Sequence, residues 1–411
     1  MALTAEIRKL LGMFDGPWVA PATGPTRGND DLVFAGVLPP AIVNAIDGND
    51  RVRIDSVLTL ITTVNGGNGK DEIYGSGAGV SAAEFLNGDA GDDYIEGRGG
   101  LIDNLNGGDG IDTLGYASST APVIIDLRQS TIVPGQIAVA RGGHAGGDVV
   151  AFGTFENVVG SDFNDKIDGS DTANILVGLG GNDTLNGNGG NDTLYGGDGA
   201  DTLNGGDGDD TLVGGAGADT LNGGDGNDTV SYLTSTAGVK VNLGLTTAQI
   251  SGGEANGDSL LGFENLTGSA FSDILTGNGQ SNRLAGGASD DSLHGGEGND
   301  FVIGGGGVDV MFGGSGADHF IFESLSDLAS GWRQPEIIGD FSMFDGDKID
   351  LSLIDADPNQ AGDQAFVFSS SGGPGTVWHL RDRSLAIQVG DTAKFLQVAD
   401  ASAVSSDSFI L

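Results

Sequence analysis

Between residues 176 and 229 an aspartate recurs at every ninth position: Asp183, Asp192, Asp201, Asp210, Asp219 and Asp228. Each is followed by Thr and then by Leu or Val, so LVGLGGNDT, LNGNGGNDT, LYGGDGADT, LNGGDGDDT, LVGGAGADT and LNGGDGNDT form one uninterrupted array. A strict short period is the mark of a repeat architecture, in which each unit packs only on its neighbours. The 411 residues therefore do not set a domain count in the way they would for a globular chain.

The same unit recurs in weaker form elsewhere. VNGGNGKDE (64–72), LNGDAGDDY (86–94) and LNGGDGIDT (105–113) carry it upstream, and GNDDLVF (28–34) and DGNDRVRI (47–54) are worn copies. IEGRGGLIDN holds one residue too many and is expected to break or bulge the stack. A third array, 275–319, comprises LTGNGQSNR, LAGGASDDS, LHGGEGNDF, VIGGGGVDV and MFGGSGADH. The segments between arrays are duplicates: TLGYASSTAPVIIDL (113–127) matches TVSYLTSTAGVKVNL (229–243), and FENVVGSDFNDKIDG (155–169) matches FENLTGSAFSDILTG (263–277). Their alternating apolar runs predict strands that continue the stack, with looser excursions at 128–150 and 244–258. Residues 1–62, broken by five prolines, are the least legible part of the chain. From Phe320 the glycines thin out and short strands predict a capping domain, which a stack of like coils needs at its end.

Fifty-eight acidic against 17 basic residues give a net charge of -41, which excludes nucleic acid and anionic membrane surfaces as partners and points to a cation. The chain has no cysteine, hence neither disulfides nor thiolate metal sites. No stretch reaches the roughly 18 apolar residues of a membrane helix. The opening MALTAEIRKLLGMF lacks the apolar core and small-residue cleavage site of a secretory signal.

Energetics make the cation a structural need. Each nonapeptide buries one dependable apolar side chain, worth about 1.5–3 kcal/mol, against roughly 1–2 kcal/mol for each residue ordered. Aspartates aligned in coils about 4.8 Å apart add repulsion. A hard divalent ion offsets both. Calcium takes about six to eight oxygen ligands from carboxylates and carbonyls, and the glycines permit the positive φ and close approach that turn carbonyls inward. Zinc is disfavoured by the absence of cysteine and scarcity of histidine, and magnesium by its reluctance to dehydrate.

Over roughly 64–319 the chain resembles the RTX family of secreted proteins with calcium-binding nonapeptides. The resemblance implies an all-β fold, a parallel β-roll or β-helix solenoid in which two nonapeptides make one coil and calcium lies between turns two repeats apart. It pairs Asp183 with Asp201, Asp192 with Asp210, Asp201 with Asp219, Asp210 with Asp228, Asp291 with Asp309, and Asp300 with Asp318. For the third pair it implies carbonyl ligands from Gly197, Gly199, Gly214 and Ala216. Leu179 and Asn188 depart from the pattern at its second glycine, Gln280 and Asn282 replace a glycine and the aspartate, and Ala288 and Ser289 weaken their copy. Asp71, Asp93 and Asp112 are expected to be isolated and weaker sites.

GADHFIF (316–322), IGDFSMFDGDKIDLS (338–352) and the terminal DSFIL resemble the C-terminal portion of serralysin-type proteins, which implies a type I ABC exporter reading an uncleaved C-terminal signal on a Gram-negative extracellular protein. The spacers resemble the R modules of secreted alginate epimerases, which makes extracellular polysaccharide a candidate partner. No H-E-x-x-H helix and no G-x-S-x-G elbow is present, and His144, His294, His319 and His379 sit in no catalytic pattern. These features predict a calcium-folded structural, adhesive or surface-layer protein, capable of self-assembly and without catalysis. Calcium-dependent polysaccharide binding, and polysaccharide modification on the solenoid face, are the alternatives.

Overall fold

The structure is a computed structural model that describes residues 28–34, 41–54, 62–77, 83–98, 103–128, 138–139, 148–151, 153–328, 335–354, 366–368, 376–379, 384–389, 392–398 and 404–410. It has two units, residues 1–226 and 227–411, each of all-β, parallel solenoid architecture. His144 lies outside the described residues, as does most of the excursion at 128–150.

Two nonapeptides make one coil. In the first unit Ile175–Gly180, Thr193–Asp198 and Thr211–Ala216 pair in parallel within one sheet, and Thr184–Gly189, Thr202–Asp207 and Thr220–Asp225 within the opposing one. The register steps by 18 residues, which stacks Leu176 on Leu194 and Leu212, and Leu185 on Leu203 and Leu221. All six leucines are at most 1% exposed, so the single apolar residue of each repeat fills the interior. This is why period nine reads as a coil: alternate residues face in and out along each short strand, and of the two strand positions buried in every copy, the leucine and the first glycine, only the leucine carries a side chain.

The upstream copies stack in the same way, although their coils are longer. Asp31–Phe34, Arg51–Ile54, Glu72–Tyr74, Tyr94–Glu96 and Thr113–Gly115 form successive parallel pairs. The ladder holds on either side of IEGRGGLIDN, where Tyr94 pairs with Thr113 and Ile95 with Leu114; residues 99–102, where the break or bulge is expected, lie outside the described residues.

Both spacers continue their stacks as predicted, through Ile124–Asp126 on Lys166–Asp168 and Lys240–Asn242 on Ile274–Thr276. Their shared pattern places one further tie, a buried tyrosine held by a buried aspartate: Tyr116 donates to Asp148 Oδ2 at 3.2 Å and Tyr232 to Asp258 Oδ2 at 2.9 Å.

In the second unit the coil runs on past the last array. Phe320 stacks on Ile349 and Ile349 on Phe409, while Met311 stacks on Ile338 and Ile338 on Val398. Thr376–His379, Ser384–Val389 and Thr392–Val398 then pair antiparallel, a change of direction that interrupts the parallel ladder. The terminal Phe409–Ile410 is a paired strand of this stack, with Phe409 buried.

Candidate metal centre

Each turn of the form G-G-x-G-x-D contains glycine for two different reasons. At the first position φ is ordinary, but a Cβ on Gly196 would touch Asp201 Oδ2 and lie 2.5 Å from the carbonyl oxygen of Gly214 in the next coil. Gly205 stands in the same relation to Asp210 Oδ2 and Gly223, and Gly295 to Asp300 Oδ2 and Gly313. The missing side chain makes room for a carboxylate oxygen and a carbonyl oxygen to converge. At the second and fourth positions the backbone is left-handed, with φ +114 at Gly197 and +147 at Gly199, a conformation that costs other residues about 1–2 kcal/mol.

The paired aspartates do meet, through a ladder rather than by facing carboxylates. The N–H of Asp183 donates to Asp201 Oδ1 at 2.8 Å, Asp192 to Asp210 at 2.7 Å, and Asp201 to Asp219 at 2.9 Å. In the later array Asp291 donates to Asp309 at 2.8 Å and Asp300 to Asp318 at 2.9 Å. Asp210 belongs to the first unit and Asp228 to the second, so that pair remains an expectation of the spacing.

One oxygen of each carboxylate is thereby used, and the other is not. Oδ2 of Asp183, Asp192, Asp201, Asp291, Asp300 and Asp318 is buried without a hydrogen-bond partner, on residues at most 3% exposed. An unpaired buried carboxylate is costly. Burial pushes Asp183 and Asp291 up to about 8 and Asp192 to about 7, and the aspartates one coil away add to each rise. Asp201, Asp300, Asp309 and Asp318 are raised to about 6, again mainly by burial. A cation beside Oδ2 would offset that cost by favouring the ionised carboxylate. Among the described residues no three His, Asp or Glu side chains form a metal cage, so a calcium ion here would draw its remaining oxygens from backbone carbonyls or water.

Of the four expected carbonyls, that of Gly214 shares the cradle with Asp201 Oδ2. Those of Gly197 and Gly199 point forward onto Gly215 and Gly217 of the following coil, where a Cβ would strike them. Ala216 instead accepts the N–H of Gly199 at 2.8 Å, which commits one of its lone pairs to the ladder. Leu179 and Asn188 keep the left-handed turn, at φ 82 and 78, so the missing second glycine does not change the path.

Asp71, Asp93 and Asp112 are not isolated. Asp71 N–H donates to Asp93 Oδ1, Asp93 to Asp112 Oδ1, both at 2.8 Å, and all three leave Oδ2 buried without a hydrogen-bond partner. Their separations of 22 and 19 residues hid the stacking from a search at fixed period. Asp50 joins the ladder below them, its N–H donating to Asp71 Oδ1 at 2.7 Å. Glutamates extend the column where no nonapeptide exists: Asp112 donates to Glu156, Asp228 to Glu264 and Asp309 to Glu336. Their signal in the sequence was the FEN shared by both spacers, which places Glu156 and Glu264 alike.

Asn282 is satisfied throughout. Its Oδ1 accepts the N–H of Asn278 at 2.7 Å and its Nδ2 donates to the main-chain carbonyl of Glu264 at 3.0 Å, and the amide offers no negative charge to an ion. His294 stacks on Phe312 at 4.6 Å and His319 meets Phe301 edge-on at 5.1 Å, both as packed rings. The His379 side chain lies outside the described set.

The family model of the RTX calcium-binding nonapeptide repeat (4 copies) matches residues 62–78, 79–114, 150–185, 159–194, 168–203, 195–230, 260–293 and 285–320. These stretches are RTX calcium-binding repeats, and calcium is the ion they take. No curated protein matches the chain.

Proposed function

We propose that this chain, whose RTX repeats bind calcium, is a secreted extracellular protein that folds on meeting calcium and then serves a structural, adhesive or surface-layer role without catalysis. The observation that supports this most is the recurring buried Oδ2 left without a hydrogen bond beside a neighbouring coil's carbonyl, as at Asp201 and Gly214. Such an interior is unfavourable without a cation and favourable with one.

Asp183, Asp192, Asp201, Asp291, Asp300 and Asp318 would hold the ions by Oδ2, with Gly214, whose carbonyl lies beside Asp201 Oδ2, and Gly197, Gly199 and Ala216 as the carbonyl donors of that site. Calcium supplies the positive charge that the stacked acids lack. Asp71, Asp93 and Asp112 join them as sites of the first array. In a cell, where free calcium is scarce, the repelling acids keep the chain open enough to pass a type I ABC exporter. Outside, about 1 mM calcium acting on sites with a dissociation constant near 0.1 mM contributes about 1.4 kcal/mol at each, and stacked sites add.

The test is far-UV circular dichroism of the chelated chain titrated with calcium, with magnesium as control. A cooperative gain of β signal with calcium alone is expected. A chain already folded in chelator and indifferent to calcium sinks the proposal.

A further inference from the structure

Not every turn in the stack leaves an oxygen unpaired. Gly268-Ser269-Ala270-Phe271-Ser272-Asp273 has the length of a nonapeptide turn and makes the same ladder, its Asp273 N–H donating to Asp291 Oδ1 at 2.8 Å. Yet Ser269 N–H donates to Asp273 Oδ2 at 2.6 Å, and Ser269 Oγ reaches Asp273 Oδ1 at 2.9 Å. Both oxygens are satisfied. The duplicate turn Gly160-Ser161…Asp165 repeats the arrangement, with Ser161 N–H on Asp165 Oδ2 and Ser161 Oγ on Oδ1 at 2.9 Å. Ser170 on Asn174 and Asn278 on Asn282 close their turns by the same N–H, at 2.6 and 2.7 Å.

The backbone angle at the second position separates the two kinds of turn. Gly197, Gly287 and Gly296 are left-handed, and so are Leu179 and Asn188, at φ between 78 and 122. Their aspartates Asp201, Asp291, Asp300, Asp183 and Asp192 keep Oδ2 buried and without a hydrogen bond. Ser161, Ser170, Ser269 and Asn278 are not left-handed, and each sends its N–H into the position that the ion would neutralise. The turns with a left-handed second residue leave Oδ2 without a hydrogen bond, and the turns without one send the N–H to the acceptor. Identity alone is not the determinant, since Leu179 and Asn188 behave as glycines do.

We propose that the serine turns at 160–165 and 268–273 are calcium-free latches, in which one N–H and one hydroxyl do the work of the ion, and that the residue at the second position decides which turns of the stack take calcium. This rests on the reading of the glycine turns as calcium sites. Its consequence is a stack in which each spacer supplies a metal-independent turn directly before an array, at Asp165 before Asp183 and at Asp273 before Asp291. An ordered first turn of this kind gives the following acids a template that needs no ion.

The test converts a latch to a site in the full chain. Ser269→Gly combined with Phe271→Gly restores G-G-x-G-x-D at 268–273, and Phe271 is 45% exposed, so its removal leaves no core cavity. Calcium per chain is counted by mass spectrometry of the metal after dialysis against buffered calcium. The double variant is expected to hold one ion more than the parent, and Phe271→Gly alone the same number. Ser161→Gly with Phe163→Gly repeats the test in the other spacer. An unchanged count in variants that retain their β signal overturns the proposal, and a parent without calcium overturns the underlying reading instead. Anomalous scattering from crystals of the unaltered protein checks it independently of any variant: ion peaks are expected beside Asp291 Oδ2 and none beside Asp273 or Asp165, where a peak would refute the latch.

Discussion

The main-chain N–H of Asp183 donates to Oδ1 of Asp201 at 2.8 Å, while Oδ2 of the same Asp201 is buried without a hydrogen bond beside the Gly214 carbonyl. One carboxylate thus does two jobs. Its first oxygen ties consecutive coils, and its second remains for a cation. The division follows from stacking: the peptide of one coil points along the axis at the acid of the next, and only one oxygen can face it.

Asp201→Asn separates the two jobs. An amide oxygen still accepts the Asp183 N–H, but the negative charge that holds the ion is gone. The variant is expected to bind at least one calcium fewer, with stability at 1 mM calcium lower by about 1.4 kcal/mol for each site lost. Calcium counting with thermal melts in calcium and in chelator checks this; an equal loss in chelator would show that the ladder, not the ion, was damaged.

The glycines are not equivalent. Gly196→Ala places a methyl group against Asp201 Oδ2 and the Gly214 carbonyl, whereas a Cβ on Gly306 meets nothing within 4 Å, and its φ is not left-handed. The first is expected to destabilise by about 1–3 kcal/mol and to shift the calcium midpoint upward. Gly306→Ala should fall within about 0.5 kcal/mol of the parent. Calcium-dependent melts of both variants decide it.

Acid should partly replace calcium. Asp183 and Asp291 rise from 3.8 to about 8, chiefly through burial, so their folded values lie above their unfolded ones. Protonation of such groups favours the folded form. That stabilisation is fully present below about pH 4 and is lost as pH climbs to 8. In chelator the β signal should therefore be greater at pH 5 than at pH 8. Calcium binding should release protons, so its apparent affinity should rise over the same interval. A metal-free β signal that increases with pH would contradict this.

Tyr116→Phe probes a tie that involves no ion. It removes the hydroxyl that donates to Asp148 Oδ2 at 3.2 Å, within a site where both residues are buried. The expected cost is about 1–3 kcal/mol, with the calcium count unchanged. Urea unfolding in saturating calcium, beside a metal count, measures both.

The sequence by itself determined the coil. Nine-residue spacing, one inward leucine and an acid per turn leave few alternatives to a parallel stack, because the leucine can be buried only if two repeats close on each other and the acids can be aligned only if something positive lies between them. The cation was legible for the same reason. What the tertiary structure decided is which acids share a column and which oxygens are free. Asp93 and Asp112 meet although 19 residues apart, and Asp112 reaches Glu156 over 44, because the ladder depends on coil-to-coil hydrogen bonds and is indifferent to the length of chain that loops out between them. The fate of Oδ2 was equally hidden. Asp273 and Asp291 are the same residue type in successive coils, yet the φ of Ser269 and of Gly287 sends a peptide N–H toward one carboxylate and away from the other. Spacing carries no record of that backbone angle, which Leu179 shares with the glycines.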